Sequence, residues 1–308
     1  MRYLAPAALT AATLVLLLAT DHPLREAAAD TGTVRTVRLA STAATVPPAA
    51  RPRTPLPPPT VLPDSPRWPA TPGRIFTGAG FDACTAPSLD AMKAWRQYSP
   101  YGAVGIYTSG SQRACDQPRL TAAWVRKVRE LGWQLLPTHV GLQAPCSTGK
   151  SRPGRIDPAK AVAQGRTEAA EAVRGLRALG LGRGSPVYLD IESYPDGDAA
   201  CAKAVVDFTL GWTQALHGAG YHAGFYSSAD SGIRDLDAAA RAGASPLPDA
   251  VWYARWDDRP GTDGSGYLGA GRWVRHQRTH QNHGDIQETF GGATLTVDRD
   301  QLDALVAS

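Results

Sequence analysis

The sequence has little of what marks a metal, redox or nucleotide site. Its four cysteines, Cys84, Cys115, Cys146 and Cys201, form no CxxC pair, so a zinc ribbon or thioredoxin-type motif has no support. No G-x-S-x-G occurs, which removes the serine-hydrolase elbow. The stretch "GSGYLGAGRW" is rich in glycine but opens no helical pattern and carries no Lys at phosphate-binding spacing. Positive charge is also scarce where it would count. The formal charge is +4, but residues 1–73 hold seven Arg and no Lys against four acids, which leaves about +1 for the other 235 residues. Without a basic stripe, nucleic acid is not expected as a partner. No internal repeat is apparent.

Long apolar runs are equally rare. One uncharged run, Tyr3 to Thr20, follows Arg2 and precedes the small residues "AAAD" at Ala27–Asp30. Its leucine-rich centre has the length of a signal h-region rather than a full membrane span. Residues 1–29 are therefore read as a cleaved secretory signal, with an uncleaved N-terminal anchor as the alternative and the one expected membrane contact. No twin-Arg pair or nearby cysteine supports Tat export or lipoprotein processing. Export makes two disulfides the plain reading of four spaced cysteines, with three pairings possible.

Residues 30–73 concentrate proline, with eleven between Pro47 and Pro72, and lack apolar periodicity. Such a segment is expected to be a disordered linker holding a domain away from a membrane or wall. From 74 to 308 the pattern changes. Eight short apolar runs stand out at 77–82, 102–108, 133–140, 186–192, 222–228, 250–256, 272–277 and 293–298. Helical stretches separate the early ones. One starts at Pro118 with Leu120, Trp124, Val128 and Leu131 on a stripe; a second opens with Asp157 as cap and Pro158 in its first turn. A third aligns Val205, Phe208, Trp212 and Leu216. Strands alternating with helices over this length fit an α/β fold, a (β/α)8 TIM-like barrel, with a doubly wound open sheet as the alternative.

Acids fall at the ends of several runs: Asp82 after "GAGF", Asp190 and Glu192 in "VYLDIE", Asp298 in "LTVD", with Asp300 beyond. Side chains alternate along a strand, so Tyr188, Asp190 and Glu192 share one face. A barrel gathers strand ends at one mouth, and crowded carboxyls are how one of them keeps a proton for acid catalysis. Taken singly, Asp82 and Asp298 are equally good loop caps. Aromatic residues near strand ends, Tyr107, Tyr194, Tyr226, Trp252 and Trp256, offer faces for sugar rings, Tyr194 and Tyr226 above all. His139 ends the third run and is read as a site neighbour or a hydrogen-bonded structural histidine. His276, His280 and His283 begin on a predicted strand and pass into a polar loop. They would not share a face, so no metal or other cofactor is expected.

The segments "GFDACTAPS", "VYLDIES", "GYHAGFYSS", "VWYARWD" and "LTVDRD", in that order, resemble the barrel of family 25 glycoside hydrolases, the lysozyme-type muramidases. They resemble more closely an exported actinobacterial family of glycoside-hydrolase-like domains. The resemblance spans nearly all of 75–300. It implies Glu192 as general acid and Asp190 as the group that orients or stabilises the sugar, through an acetamido group acting as internal nucleophile. Asp82 and Asp298 would complete the cluster. Where the muramidases carry Trp-Gln-Tyr on the seventh strand, this chain has "RHQRT" around Gln277, and its third strand ends in "LLPTHVG". The partner implied is peptidoglycan or another N-acetylated polysaccharide, met by a monomer in the secreted or wall-associated space. A non-catalytic carbohydrate-binding barrel is the alternative. On such a barrel, loops that follow adjacent strands are neighbours, which favours Cys84–Cys115 and Cys146–Cys201.

Overall fold

The computed structural model describes residues 58–63, 73–149, 153–264, 266–269 and 271–308. The segment read as a signal or anchor lies outside the described residues, as does the linker apart from 58–63 and Gly73. Among the described residues, fourteen elements follow in chain order. They are β1 (Arg74–Asp82), α1 (Leu89–Tyr98), β2 (Ala103–Ser109), α2 (Ala122–Glu130), β3 (Gln134–His139) and α3 (Ala161–Ala178). Next come β4 (Pro186–Asp190), α4 (Ala199–Ala219), β5 (His222–Ser228), a π-helical turn (Ala229–Ile233) and α5 (Arg234–Arg241). The chain finishes with β6 (Ala250–Ala254), β7 (Arg278–Phe290) and β8 (Ala293–Val306). The strands close in order into one eight-stranded, TIM-like barrel.

The strands from β1 to β7 run parallel, while β8 is antiparallel to both β7 and β1. The cause is local. Gly291 and Gly292, at φ 58° and 79°, join β7 to β8 as a two-residue hairpin turn. A parallel return would need a dozen or more connecting residues. The hairpin rises beyond the barrel mouth and comes back down, so β8 enters the barrel at Asp298, opposite Asp82, and ends at Val306, opposite Arg74. No helix separates β6 from β7 or β7 from β8 among the described residues.

The expected seventh strand is displaced. Residues 272–277 form a loop, with Trp273, Arg275 and His276 at φ 44°, 54° and 65°, and β7 begins at Arg278. Two helix starts also move inward. Thr121 caps α2 by accepting from the Trp124 N–H, and Asp157 instead supports a turn ahead of α3 by accepting from the Ala159 N–H. The predicted stripe of α4 is buried throughout, at Val205, Phe208, Trp212 and Leu216. That helix is capped by Asp198 and closed by Gly220 at φ 82°.

Two cores support the mouth. Outside the strands, Phe81, Trp95, Trp133 and Leu135 pack in the layer against the helices. Inside the barrel, Ala103, Leu136, Tyr188, Ala250, Trp252, Leu302 and Val306 fill the floor. Part of the expected linker belongs to this body. Val61 pairs with Ser245 as a parallel bridge, and Leu62 packs on Val206, Leu210 and Ala244.

Candidate active site

The parallel strands deliver their C-terminal ends to one mouth, where a cavity of about 380 Å³ is lined by Asp82, Tyr107, Asp190, Glu192, Tyr226, Gln281 and Asp298, among others. All four sequence-predicted acids are therefore brought together, as is Tyr226. Their supports differ. Asp82 ends β1 and is buried; its Oδ1 accepts from the Tyr107 hydroxyl at 2.7 Å and its Oδ2 from Gln281 Nε2 at 3.0 Å. Asp298 accepts from Gln281 Nε2 at 3.2 Å and from the Asp285 backbone N–H at 2.7 Å. Asp190 is buried at the last position of β4.

Glu192 lies two residues past the end of β4, in irregular chain. What holds it there is Gln143, itself buried. The Gln143 Oε1 accepts from the Glu192 backbone N–H at 2.8 Å, while its Nε2 donates to the Asp190 carbonyl at 2.9 Å. One amide thus clamps both ends of the Asp-Ile-Glu step and leaves the Glu192 carboxyl half-exposed over the cavity.

Gln281 is the hub of the cluster. Its Nε2 bridges Asp82 and Asp298, and its Oε1 accepts from the Tyr226 hydroxyl at 3.0 Å and Trp256 Nε1 at 3.2 Å. Sequence reasoning missed both glutamines. A signal existed for Gln281: Gly291-Gly292 between two alternating segments marks a hairpin, which would have moved the seventh strand onto it.

The electrostatics follow from crowding. Burial first, then the Asp298 charge, pushes the Asp82 carboxyl up to about 7, against the opposing bonds from Tyr107 and Gln281. Burial also raises Asp298, with the Asp285 N–H opposing and the Asp285 and Glu192 charges adding to the rise. Below them Asp300, buried in the barrel, is raised well above the usual carboxylate range by burial and by Asp82 and Asp298.

The cavity continues into a second lobe of about 370 Å³, lined by Ser193, Ser228, Asp230, Ala254 and Arg255. Glu192, Tyr226, Trp256 and Gln281 border both lobes. Trp256 is 58% exposed where the lobes meet. The disulfide Cys84–Cys115 borders the first lobe, and Cys146–Cys201 ties the loop after β3 to the first turn of α4, with Cα separations of 5.7 and 5.8 Å. Both pairings are the expected ones.

Four other sequence-predicted residues lie elsewhere. Tyr194 is buried and donates to Asp235 at 2.9 Å, so it secures α5 rather than facing sugar. Trp252 fills the barrel beneath the cavity and donates to Asp300. His139 is wholly buried between Ser109 and Glu168, at 2.8 and 2.5 Å, as the structural histidine of the two readings. Gln277 precedes β7 at its N-terminal end and donates to the Asp249 carbonyl, opposite the mouth, because the strand starts later than its periodicity implied. His280 is buried on β7, whereas His276 and His283 pair separately with Asp303 and Asp258.

The chain is similar to several solved structures. The Tat-secreted protein Rv2525c of Mycobacterium tuberculosis, solved with HEPES, is 15% identical over 74% of this chain and 96% of its own, with a TM-score of 0.48. A B. stearothermophilus protein of uncharacterised function is 18% identical over 73% of this chain and 95% of its own, with a TM-score of 0.46. The catalytic domain of endolysin ply40, from bacteriophage P40 of Listeria monocytogenes, is 15% identical over 75% and 95%, with a TM-score of 0.43. No curated protein sequence matches. The family profile described as Rv2525c-like, glycoside hydrolase-like domain matches residues 93–302, and the chain belongs to that family.

Proposed function

We propose that the mouth hydrolyses an N-acetylated wall polysaccharide such as peptidoglycan, with Glu192 as general acid. The observation that carries this reading is the position of Glu192, half-exposed where two cavity lobes meet, with its backbone N–H held by Gln143. Two cavity lobes that share Glu192 suit a polymer lying across the acid, and the exposed Trp256 suits contact with a sugar ring.

In the proposed sequence Glu192 gives its proton to the glycosidic oxygen as the bond to the anomeric carbon breaks. The acetamido oxygen of the same sugar attacks that carbon, and Asp190 holds the acetamido N–H. Water then opens the cyclic intermediate, losing its proton to the Glu192 carboxylate. Asp82 and Asp298, bridged by Gln281, position the sugar from the opposite wall. Two disulfides beside the mouth suit an oxidising, exported setting.

The test is release of reducing ends from purified peptidoglycan and chitin oligosaccharides. Glu192→Gln should lower turnover by at least about 100-fold, with glycan binding retained. If the wild type binds these glycans yet releases no reducing ends, the barrel is a binding module and the hydrolytic assignment fails.

A further inference from the structure

Asp300 takes no part in the proposed reaction, yet it is a buried carboxyl beneath the mouth. It stands on β8 two residues inside Asp298 and so faces the same interior, opposite Gly80 of β1 and Gln281 of β7. Its exposure is 3%. Its Oδ1 accepts from Trp252 Nε1 at 2.9 Å. Its Oδ2 is buried, and no donor among the described residues reaches it.

What stands beside it is another carboxyl. Asp82 of β1 is the diagonal neighbour of Asp300 on the interior face of the β1–β8 pair, since Asp82 stands opposite Asp298 and Gly80 opposite Asp300, and both oxygens of Asp82 already accept from Tyr107 of β2 and Gln281 of β7. The Gln281 amide is committed to Asp82 and Asp298, and the Trp252 indole to Oδ1, so neither can serve Oδ2. The charges that act on Asp82 and Asp300 are acids: Asp298 and then Glu192 on Asp82, and Asp82 and then Asp298 on Asp300. Two basic side chains stand near this cluster: His283 acts on Asp298 and is engaged with Asp258, and Arg113, on the cavity wall, donates to the Gly110 and Tyr107 carbonyls. Two ionised carboxylates this near and buried repel strongly, whereas one proton between them allows a charge-assisted hydrogen bond.

We infer that Asp300 is a neutral carboxylic acid whose O–H, on Oδ2, donates to the Asp82 carboxyl, making Asp300 a positioning residue that orients Asp82 and keeps one proton under the mouth. Asp82 then accepts from three donors, on Tyr107, Gln281 and Asp300. Burial and mutual repulsion, which raise both groups, act in the same direction. The inference rests on the acid mouth assigned above to glycan hydrolysis. Its readout is protons, so either reading can fail while the other stands.

The sign of the pH effect is definite. A carboxyl raised in the folded protein keeps a proton that the unfolded chain releases above about pH 4, so stability falls as pH rises through that interval. Each retained proton multiplies the unfolding constant by about ten per pH unit. Asp300→Asn keeps a neutral donor toward Asp82 but cannot release a proton. In denaturant titrations of the full chain between about pH 5 and 6.5, the variant should lose one such tenfold factor per pH unit relative to wild type. Equal pH slopes would overturn the assignment.

Carbon-13 NMR of side-chain-labelled aspartates supplies the second measurement. The Asp82 midpoint should be the same in Asp300→Asn and wild type, since one neutral donor replaces another. A fall of a unit or more would mean that Asp300 is ionised in the wild type. Wild type alone should show, besides Asp82 with its midpoint at about 7, a second aspartate carboxyl still protonated above pH 7, and this tests the assignment even if the variant does not fold. Complete ionisation of all aspartates at neutral pH sinks the proposal.

Discussion

Two glutamines four residues apart show how much a side chain's surroundings decide. Gln281 spends its whole amide on the mouth, donating to two carboxylates and accepting from Tyr226 and Trp256. Gln277 makes a bond to one backbone carbonyl, at Asp249. Removing Gln281 leaves Asp82 and Asp298 facing each other without their shared donor, so the charged form of each loses support. Gln281→Ala should therefore move the Asp82 midpoint above about 7, lower glycan turnover at least tenfold and cost about 1–3 kcal/mol of stability. Gln277→Ala should cost about 1 kcal/mol and leave turnover unchanged. Carboxyl NMR, reducing-end release and denaturant melts read the three quantities, and equal effects of the two substitutions on Asp82 would contradict the hub role.

At the scale of elements, legibility depended on which face carried the signal. The early strands bury apolar residues against helices, so their runs were readable, and the acids at Asp82 and Asp190 marked the ends of β1 and β4. In β7 the inward residues near the mouth are polar, including Thr279 and Gln281, so the true strand reads as loop. The run just before it looks extended, but Trp273, Arg275 and His276 take left-handed backbone, which apolar periodicity does not encode. The proline-rich segment shows the opposite error. Composition marked 58–63 as linker, yet Thr60 bonds Asp207 and Lys203 of α4, the Gln214 side chain donates to the Pro63 carbonyl, and Leu62 covers Val206 and Leu210. A few tertiary bonds suffice to dock a strap that has no core of its own. Leu62→Asp places a charge on that apolar patch and should release it. Faster hydrogen exchange at the Leu62 and Ser245 amides, with a loss of about 1–2 kcal/mol, is expected; unchanged exchange would mean that Leu62 does not hold the strap.

For the molecule as a whole, Asp298 was expected at the mouth as the end of the run 293–298, whereas it lies inside β8, which continues to Val306. Residues 298 and 300 face inward whichever way a strand runs, so Asp298 reached the mouth although β8 descends rather than rises. Closure, by contrast, is a property of the complete chain. β8 pairs with β1 from Asp82↔Asp298 to Arg74↔Val306, and it supplies Leu302 and Val306 to the interior floor. Without it, β1 and β7 become open edges and that floor loses two of its side chains. These contacts join residues more than 200 positions apart, so the entropy of closing the loop must be met before they contribute. A chain stopped after Val297 should consequently lack both a cooperative unfolding transition and near-ultraviolet circular dichroism, even though every parallel strand and every described helix is retained. A cooperative melt from that truncated chain would show that the parallel strands alone form a stable sheet. In that case β8 would serve to carry Asp298 and Asp300 to the mouth rather than to complete the fold.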